Sequence, residues 1–178
     1  MQRSLDSIEK VRINWHSQCL KARYGEKVWR LGLDAGFTCP NRSADRLQGG
    51  CRFCAADGNI SAYQKSQTSV PNSNTSVTKA INDRSTIEDQ IRRALAFTRQ
   101  RYKAKAFFLY FQAYTCTNAP VSMLAKIYND AIKTFMRIYY DTQKQASVDL
   151  KLSDISMTRL KGMIVSTWPD CFDIEKAE

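Results

Sequence analysis

The chain has 178 residues, 43% apolar and 25% charged, a length that fits one domain with a real core and a composition ordinary for a soluble globular protein. Its 27 basic side chains against 17 acidic ones give a formal charge of +10, which favours polyanionic partners, nucleic acid above all. No apolar run approaches the roughly 18 residues of a membrane span, and Met1–Lys10 lacks the apolar stretch of a secretory leader, so a cytosolic protein without membrane contact is expected.

Residues 1–27 read as a helical lead-in, with mixed apolar and charged side chains over 5–23. Val28–Leu33 reads as a short strand, and the loop that follows carries three cysteines. Residues 59–84 turn polar around Pro71 and read as a mobile insertion that buries little. Ser85-Thr-Ile-Glu88 has the form of a capping box, and Ile87, Ile91, Leu95 and Thr98 extend a helix to about Arg101. Ala106–Gln112 is an apolar run suited to a strand buried on both faces. Pro120 opens a helix carrying Val121, Leu124, Ile127, Tyr128, Ala131, Ile132 and Phe135. Residues 137–160 give no clear period, and Met163–Thr167 reads as a third buried strand before Trp168-Pro-Asp170. Strands alternating with helices predict βαβ units, and so an α/β fold with a mainly parallel sheet. Function in such folds collects beyond the strands' C-terminal ends. The cysteine loop, Gln112–Asn118 and Trp168–Cys171 all fall there.

The three cysteines are spaced Cys39-x11-Cys51-x2-Cys54, with Gly49-Gly50 turning the chain back. In a cytosolic chain such thiols are read as metal ligands or free thiols rather than disulfides. Three thiolates on one loop suit an iron–sulfur cluster with one open iron. Zinc competes but wants four protein ligands in a structural site. His16, the one histidine, and the isolated Cys19, Cys116 and Cys171 complete no obvious set. A redox C-x2-C pair is a further rival. Spacing alone leaves these readings open. Arg42, Arg46 and Arg52 share the loop with Asp45 and could either stabilise an anionic cluster or simply face solvent.

The context of the cysteines adds a resemblance. Arg23-Tyr-Gly-Glu-Lys-Val28, Leu33-Asp-Ala-Gly-Phe-Thr-Cys-Pro-Asn-Arg42 and Gly49-Gly-Cys-Arg-Phe-Cys54 resemble the radical S-adenosylmethionine superfamily. They look most like its YhcC-type subfamily, relatives of the elongator catalytic subunit. Tyr110–Thr115, Ala119-Pro-Val121 and Pro169-Asp-Cys171 continue the likeness in order. The resemblance implies a 4Fe–4S cluster on Cys39, Cys51 and Cys54, with Phe53 in the aromatic place before the last ligand. It implies S-adenosyl-L-methionine on the fourth iron, cleaved reductively to a 5′-deoxyadenosyl radical, with a flavodoxin- or ferredoxin-like electron donor. It also implies that Gln112 and Thr115 approach the cofactor, although hydrogen bonding at a strand end explains the same residues. Relatives of the elongator type act on tRNA, so the resemblance makes an RNA substrate an expectation here.

The sequence departs from this pattern in places. Cys116 and Asn118 stand where polar or aromatic residues are expected, and Trp168 stands where the family has arginine. The superfamily's core is a partial (β/α) barrel of about six strand–helix units, whereas three strands are legible here. Residues 28–178 are therefore expected to form a truncated barrel: a fragment, a degenerate copy or part of a split protein, with an open sheet edge that invites self-association or a missing C-terminal half. The alternative is a basic nucleic-acid-binding module, zinc-stabilised or metal-free. It draws on Arg84, Arg92, Arg93, Arg99, Arg101, Lys103 and Lys105, with Phe107, Phe108 and Tyr110 expected in the core rather than stacked on bases.

Overall fold

The computed structural model describes residues 15–43, 48–55, 59–64, 85–145 and 159–177, and of 143–145 the backbone. Three strands, β1 (Val28–Leu33), β2 (Ala106–Phe111) and β3 (Leu160–Val165), form one all-parallel open sheet in the order β1-β2-β3. A short helix α1 (His16–Tyr24) precedes the sheet. Helix α2 (Ile87–Tyr102) lies in the chain between β1 and β2, and α3 (Val121–Gln145) between β2 and β3. A last short helix, α4 (Ile174–Ala177), follows. The expected α/β class and parallel sheet are present. The described residues form this three-stranded open sheet, and a barrel is not shown.

Alternation along the strands decides which side is covered. Leu31 and Leu33 on β1 and Phe107, Leu109 and Phe111 on β2 are buried in one cluster with Ile91 and Leu95 of α2 and Leu124, Ala131, Phe135 and Ile138 of α3. The helical residues recur at three- and four-residue steps, so each helix presents one apolar stripe to that face. Phe107 is fully buried and lies 5.9 Å from the Phe135 ring and 6.1 Å from Tyr139. Each such side chain contributes about 1.5–3 kcal/mol by leaving water. The opposite face carries Arg30, Phe108 and Tyr110, and Tyr24 at the end of α1 meets Phe108 edge-on at 5.8 Å.

The structure shifts several boundaries. The cap of α2 is Thr86, not Ser85: its hydroxyl accepts from the Asp89 N–H while the Asp89 carboxylate accepts from the Thr86 N–H. The Glu88 carboxylate is instead bound by Arg92 and Arg137. Helix α3 runs through residues 137–145, where charged side chains hide the period although Ile138 and Tyr139 are buried. Strand β3 begins at Leu160, ends at Val165 and is only half-buried; among the described residues it pairs with β2 alone. Of the lead-in, residues 5–14 lie outside the described residues; α1 buries no side chain of its own.

The polar stretch 59–84 is described only at 59–64, and there it is docked rather than loose. A 3-10 turn at Ala62–Gln64 runs along the outer edge of β1. The Gly32 N–H donates to the Tyr63 hydroxyl at 2.6 Å, and Gln64 Nε2 donates to the Gly32 carbonyl at 2.8 Å and the Gln90 carbonyl at 3.0 Å. These side chains satisfy backbone groups that an edge strand would otherwise offer to another chain. A Cβ on residue 32 would stand 2.0 Å from Ser61 Oγ and 3.1 Å from its Cβ, so the docked turn would have to shift to admit a side chain.

Candidate functional site

Three loops leave the sheet at the C-terminal ends of its parallel strands, and hydrogen bonds tie them together. After β1, the chain is fixed at Asp34. Its N–H donates to Gln90 Oε1 at 2.7 Å, and Gln90 Nε2 donates back to the Asp34 carbonyl at 2.9 Å and to that of Ser85 at 3.0 Å. Gln90 is 5% exposed, so this amide is a buried strut from α2 to the root of the cysteine loop. Asp34 Oδ1 then accepts from the Gly36 N–H at 2.8 Å, a local turn typical of aspartate. Phe37 is buried near the Tyr128 ring.

The loop after β2 joins the first at Thr38. Thr115 N–H donates to the Thr38 carbonyl at 3.3 Å, and Asn118 Nδ2 donates to the Thr38 hydroxyl at 3.0 Å. The loop after β3 joins the second: Cys116 N–H donates to the Ser166 carbonyl at 2.9 Å, and the Thr117 and Thr167 hydroxyls are hydrogen-bonded. Cys171, in the 3-10 turn Pro169–Cys171, directs its thiol to Asn118 Oδ1 at 3.9 Å. Burial pushes the Cys171 thiol above its ordinary value, and the nearby Cys39 adds to the effect. The expected convergence of three loops on one end of the sheet is therefore present.

Within the first loop the chain folds back on itself. Arg42 and Gly49 form an antiparallel bridge, and Gly50 N–H donates to the Asn41 carbonyl at 2.6 Å. Gly49 and Gly50 hold φ of 78° and 107°, a region open to glycine at little cost. Cys54 N–H donates to the Cys51 carbonyl at 2.9 Å, a tight turn that carries both thiols. Asn41 Nδ2 lies 3.5 Å from Cys51 Sγ. Arg42 Nη2 donates to the Ala55 carbonyl at 2.9 Å and approaches that of Cys54 at 3.5 Å, while the guanidinium sits 5.6 Å from the centre of the Tyr114 ring. Hydrogen bonding to Cys54 raises the Arg42 pKa, opposed by partial burial and reinforced by Cys54, Tyr114 and Cys39. Tyr114 itself has φ of 63°, uncommon for a bulky residue and typical of functional loops.

Cys39, Cys51 and Cys54 are half-buried, and none of the six cysteines is in a disulfide. Among the described residues, no three histidine, cysteine, aspartate or glutamate side chains are gathered closely enough to hold a metal ion. The donor chemistry suits an iron–sulfur cluster, but the thiols must draw together to ligate one. His16 and Cys19 are exposed on α1. Gln112 follows β2, its backbone N–H donating to the Leu33 carbonyl at 3.3 Å; Thr115 is 3% exposed. Phe53 is 84% exposed, and Arg52 is exposed. Asp45, Arg46 and Arg84 lie outside the described residues. Sequence reading did not single out Gln90, Asn41 or Tyr114. Gln90 had a signal, a polar residue on the helical face shared with Ile87 and Ala94; the other two lay inside the motif stretches that carry the resemblance.

No family model matches the chain, and no solved structure matches it. Protein YhcC of Escherichia coli (strain K12) is 30% identical over 159 residues, 89% of this chain and 37% of that protein. Uncharacterized protein YtqA of Bacillus subtilis (strain 168) is likewise 30% identical, with 36% of its length covered. Uncharacterized protein MJ0486 of Methanocaldococcus jannaschii is 21% identical over the same span. The chain thus spans little more than a third of the relatives it matches, and their names state no activity. Among the described residues no helix is long and apolar enough to cross a membrane.

Proposed function

We propose that the chain carries the cluster-binding portion of a radical S-adenosylmethionine protein, with Cys39, Cys51 and Cys54 as ligands of a 4Fe–4S cluster. The observation that carries this reading is the placement of three thiols on one loop beyond a parallel strand, hydrogen-bonded to the loops of the two neighbouring strands. The motif context of those thiols resembles that superfamily, and the sheet is compatible with part of its barrel. When bound, the cluster and S-adenosyl-L-methionine would supply reductive cleavage of the sulfonium to a 5′-deoxyadenosyl radical.

The chain's own residues do the holding. The Gln90 strut and the Thr38 contacts fix the loop's root. The Gly49-Gly50 turn returns Cys51 and Cys54 toward Cys39. Arg42 and Asn41 place a positive charge and an amide donor beside the thiols, the kind of contact that stabilises anionic sulfur. Gln112 and Thr115 lie beyond β2, on the loop bonded to the cysteine loop, where a cofactor's polar end would need partners.

Anaerobic protein given dithionite and S-adenosyl-L-methionine should release 5′-deoxyadenosine, and Cys51→Ala should release none. Equal release by the two proteins, or no release from cluster-loaded wild type, overturns the proposed activity.

A further inference from the structure

Two thiols on the converging loops take no part in the cluster reading, Cys116 and Cys171. Cys116 is 1% exposed, and its Sγ turns to the Ala113 carbonyl at 3.3 Å. Cys171 turns toward the cysteine loop instead. Its thiol meets Asn118 Oδ1 at 3.9 Å, and the other end of that amide, Nδ2, donates to the Thr38 hydroxyl at 3.0 Å. One side-chain amide thus spans Cys171 and the residue before Cys39. Cys39 also lies close enough to act electrostatically on the Cys171 thiol.

The backbone is fixed on both sides of this contact. Thr115 N–H donates to the Thr38 carbonyl at 3.3 Å, and Arg42 N–H to the Cys39 carbonyl at 3.0 Å. Cys171 N–H donates to the Trp168 carbonyl at 3.0 Å, and Lys176 Nζ to the Cys171 carbonyl at 3.2 Å. The C-x2-C thiols face elsewhere: Cys51 Sγ lies 3.5 Å from Asn41 Nδ2, and Cys54 Sγ lies 3.6 Å from the Ala55 carbonyl. Cys39 is half-buried, whereas Cys171 is 9% exposed. An accessible thiol beside a sheltered one is the arrangement of an attacking and a resolving cysteine.

We infer that Cys39 and Cys171 form an oxidative modification site, closing to a disulfide when the metal-free chain meets a peroxide. The Cys39 thiolate attacks one peroxide oxygen; the O–O bond breaks, leaving a sulfenic acid and hydroxide. The Cys171 sulfur then attacks the sulfenic sulfur. The S–S bond forms, the S–O bond breaks, and the released oxygen leaves as water with the Cys171 proton. Two thiols lose two electrons, and one peroxide is reduced to two waters. Because Cys39 is also a proposed cluster ligand, the disulfide withholds it from metal. That consequence rests on the proposed function; formation of the bond does not.

The test uses the metal-free full chain, reduced, freed of reductant without air and given one equivalent of hydrogen peroxide. Remaining thiols are blocked with N-ethylmaleimide, and a tryptic digest is mapped by mass spectrometry without reduction. Cleavage after Arg42, Arg46, Arg52 and Lys161 places Cys39, Cys51, Cys54 and Cys171 on separate peptides. The Cys39 peptide should be joined to the Cys171 peptide, and the chain's six free thiols should fall by two. In Cys171→Ser the sulfenic acid on Cys39 has no resolving partner, so dimedone should label Cys39 there and not in wild type. The wild-type map depends on no variant and so stands even where the serine chain misfolds. Treated wild type should take up no iron until dithiothreitol reopens the bond; a reduced chain that takes up none counts against the cluster alone. A Cys51–Cys54 bond as the main product, Cys39 joined chiefly to another cysteine, an unchanged thiol count, or equal dimedone labelling of the two proteins would each overturn the inference.

Discussion

The sheet with its two long helices and the cysteine loop are held by different forces. The first is a continuous apolar cluster in which Leu31, Ile91, Phe107, Leu109, Phe111 and Phe135 are all sealed from water. The second buries one large side chain, Phe37, and is otherwise shaped by polar contacts: Gln90 to Asp34, Asn118 to Thr38, Arg42 to Ala55. Burial defines the frame without help from any ligand. Individual exposed hydrogen bonds add only about 0.5–1.5 kcal/mol each, so the loop's arrangement is the part a bound group would complete. The three thiols share this loop without being gathered closely enough, among the described residues, to hold a metal ion.

If the contrast holds, Phe107→Ala should destabilise the protein by about 3–5 kcal/mol, seen as a large drop in a urea or thermal midpoint. Cys51→Ala, by comparison, should move the metal-free midpoint by no more than about 0.5 kcal/mol. Gln90 is where the two regions meet. Gln90→Leu leaves the Asp34 and Ser85 backbone groups without their buried partner, at a cost of about 1–3 kcal/mol, and should also speed proteolysis of the cysteine loop. Next comes Gly49→Ala, which forces a Cβ to 2.7 Å from the Asn41 carbonyl at positive φ. Its cost of about 1–2 kcal/mol should appear as impaired metal loading with little change in the sheet's melt.

The smallest effect concerns the link between the helices. Glu88 is bridged to Arg92 at 2.7 Å and to Arg137 at 2.6 Å, and these hydrogen bonds lower its pKa. A carboxylate lowered in the folded state adds stability above its ordinary value of 4.5 and loses it as pH falls below that. The midpoints of wild type and Glu88→Gln should therefore differ slightly at pH 7 and converge near pH 3. A gap that widens in acid would reverse the assignment.

The same division governs how much was legible in the sequence. Val28–Leu33 and the buried run at Ala106–Phe111 were readable because burial on known faces leaves a residue pattern. The reading of α3 stopped short of residues 137–145 because Ile138 and Tyr139 are interleaved with charges. The docking of Tyr63 and Gln64 on β1 was invisible, since side chain-to-backbone bonds across more than 30 residues leave no local period. Motif context marked the cysteines, but it could not give the positions of Asn41, Arg42 and Tyr114 around them, which depend on tertiary contacts. Arg42 sharpens this point. Arg42→Gln should leave the sheet's midpoint in place yet loosen the loop to protease, because its partners are the Ala55 and Cys54 carbonyls and the Tyr114 ring.

The central claim is that the loop's thiols hold an iron–sulfur cluster. Iron, sulfide and zinc should be quantified in the anaerobically reconstituted full chain beside Cys51→Ala. The account predicts a brown protein with about four irons and four sulfides per chain, lost in the variant. Zinc without iron or sulfide, or iron retained in full by Cys51→Ala, would contradict it.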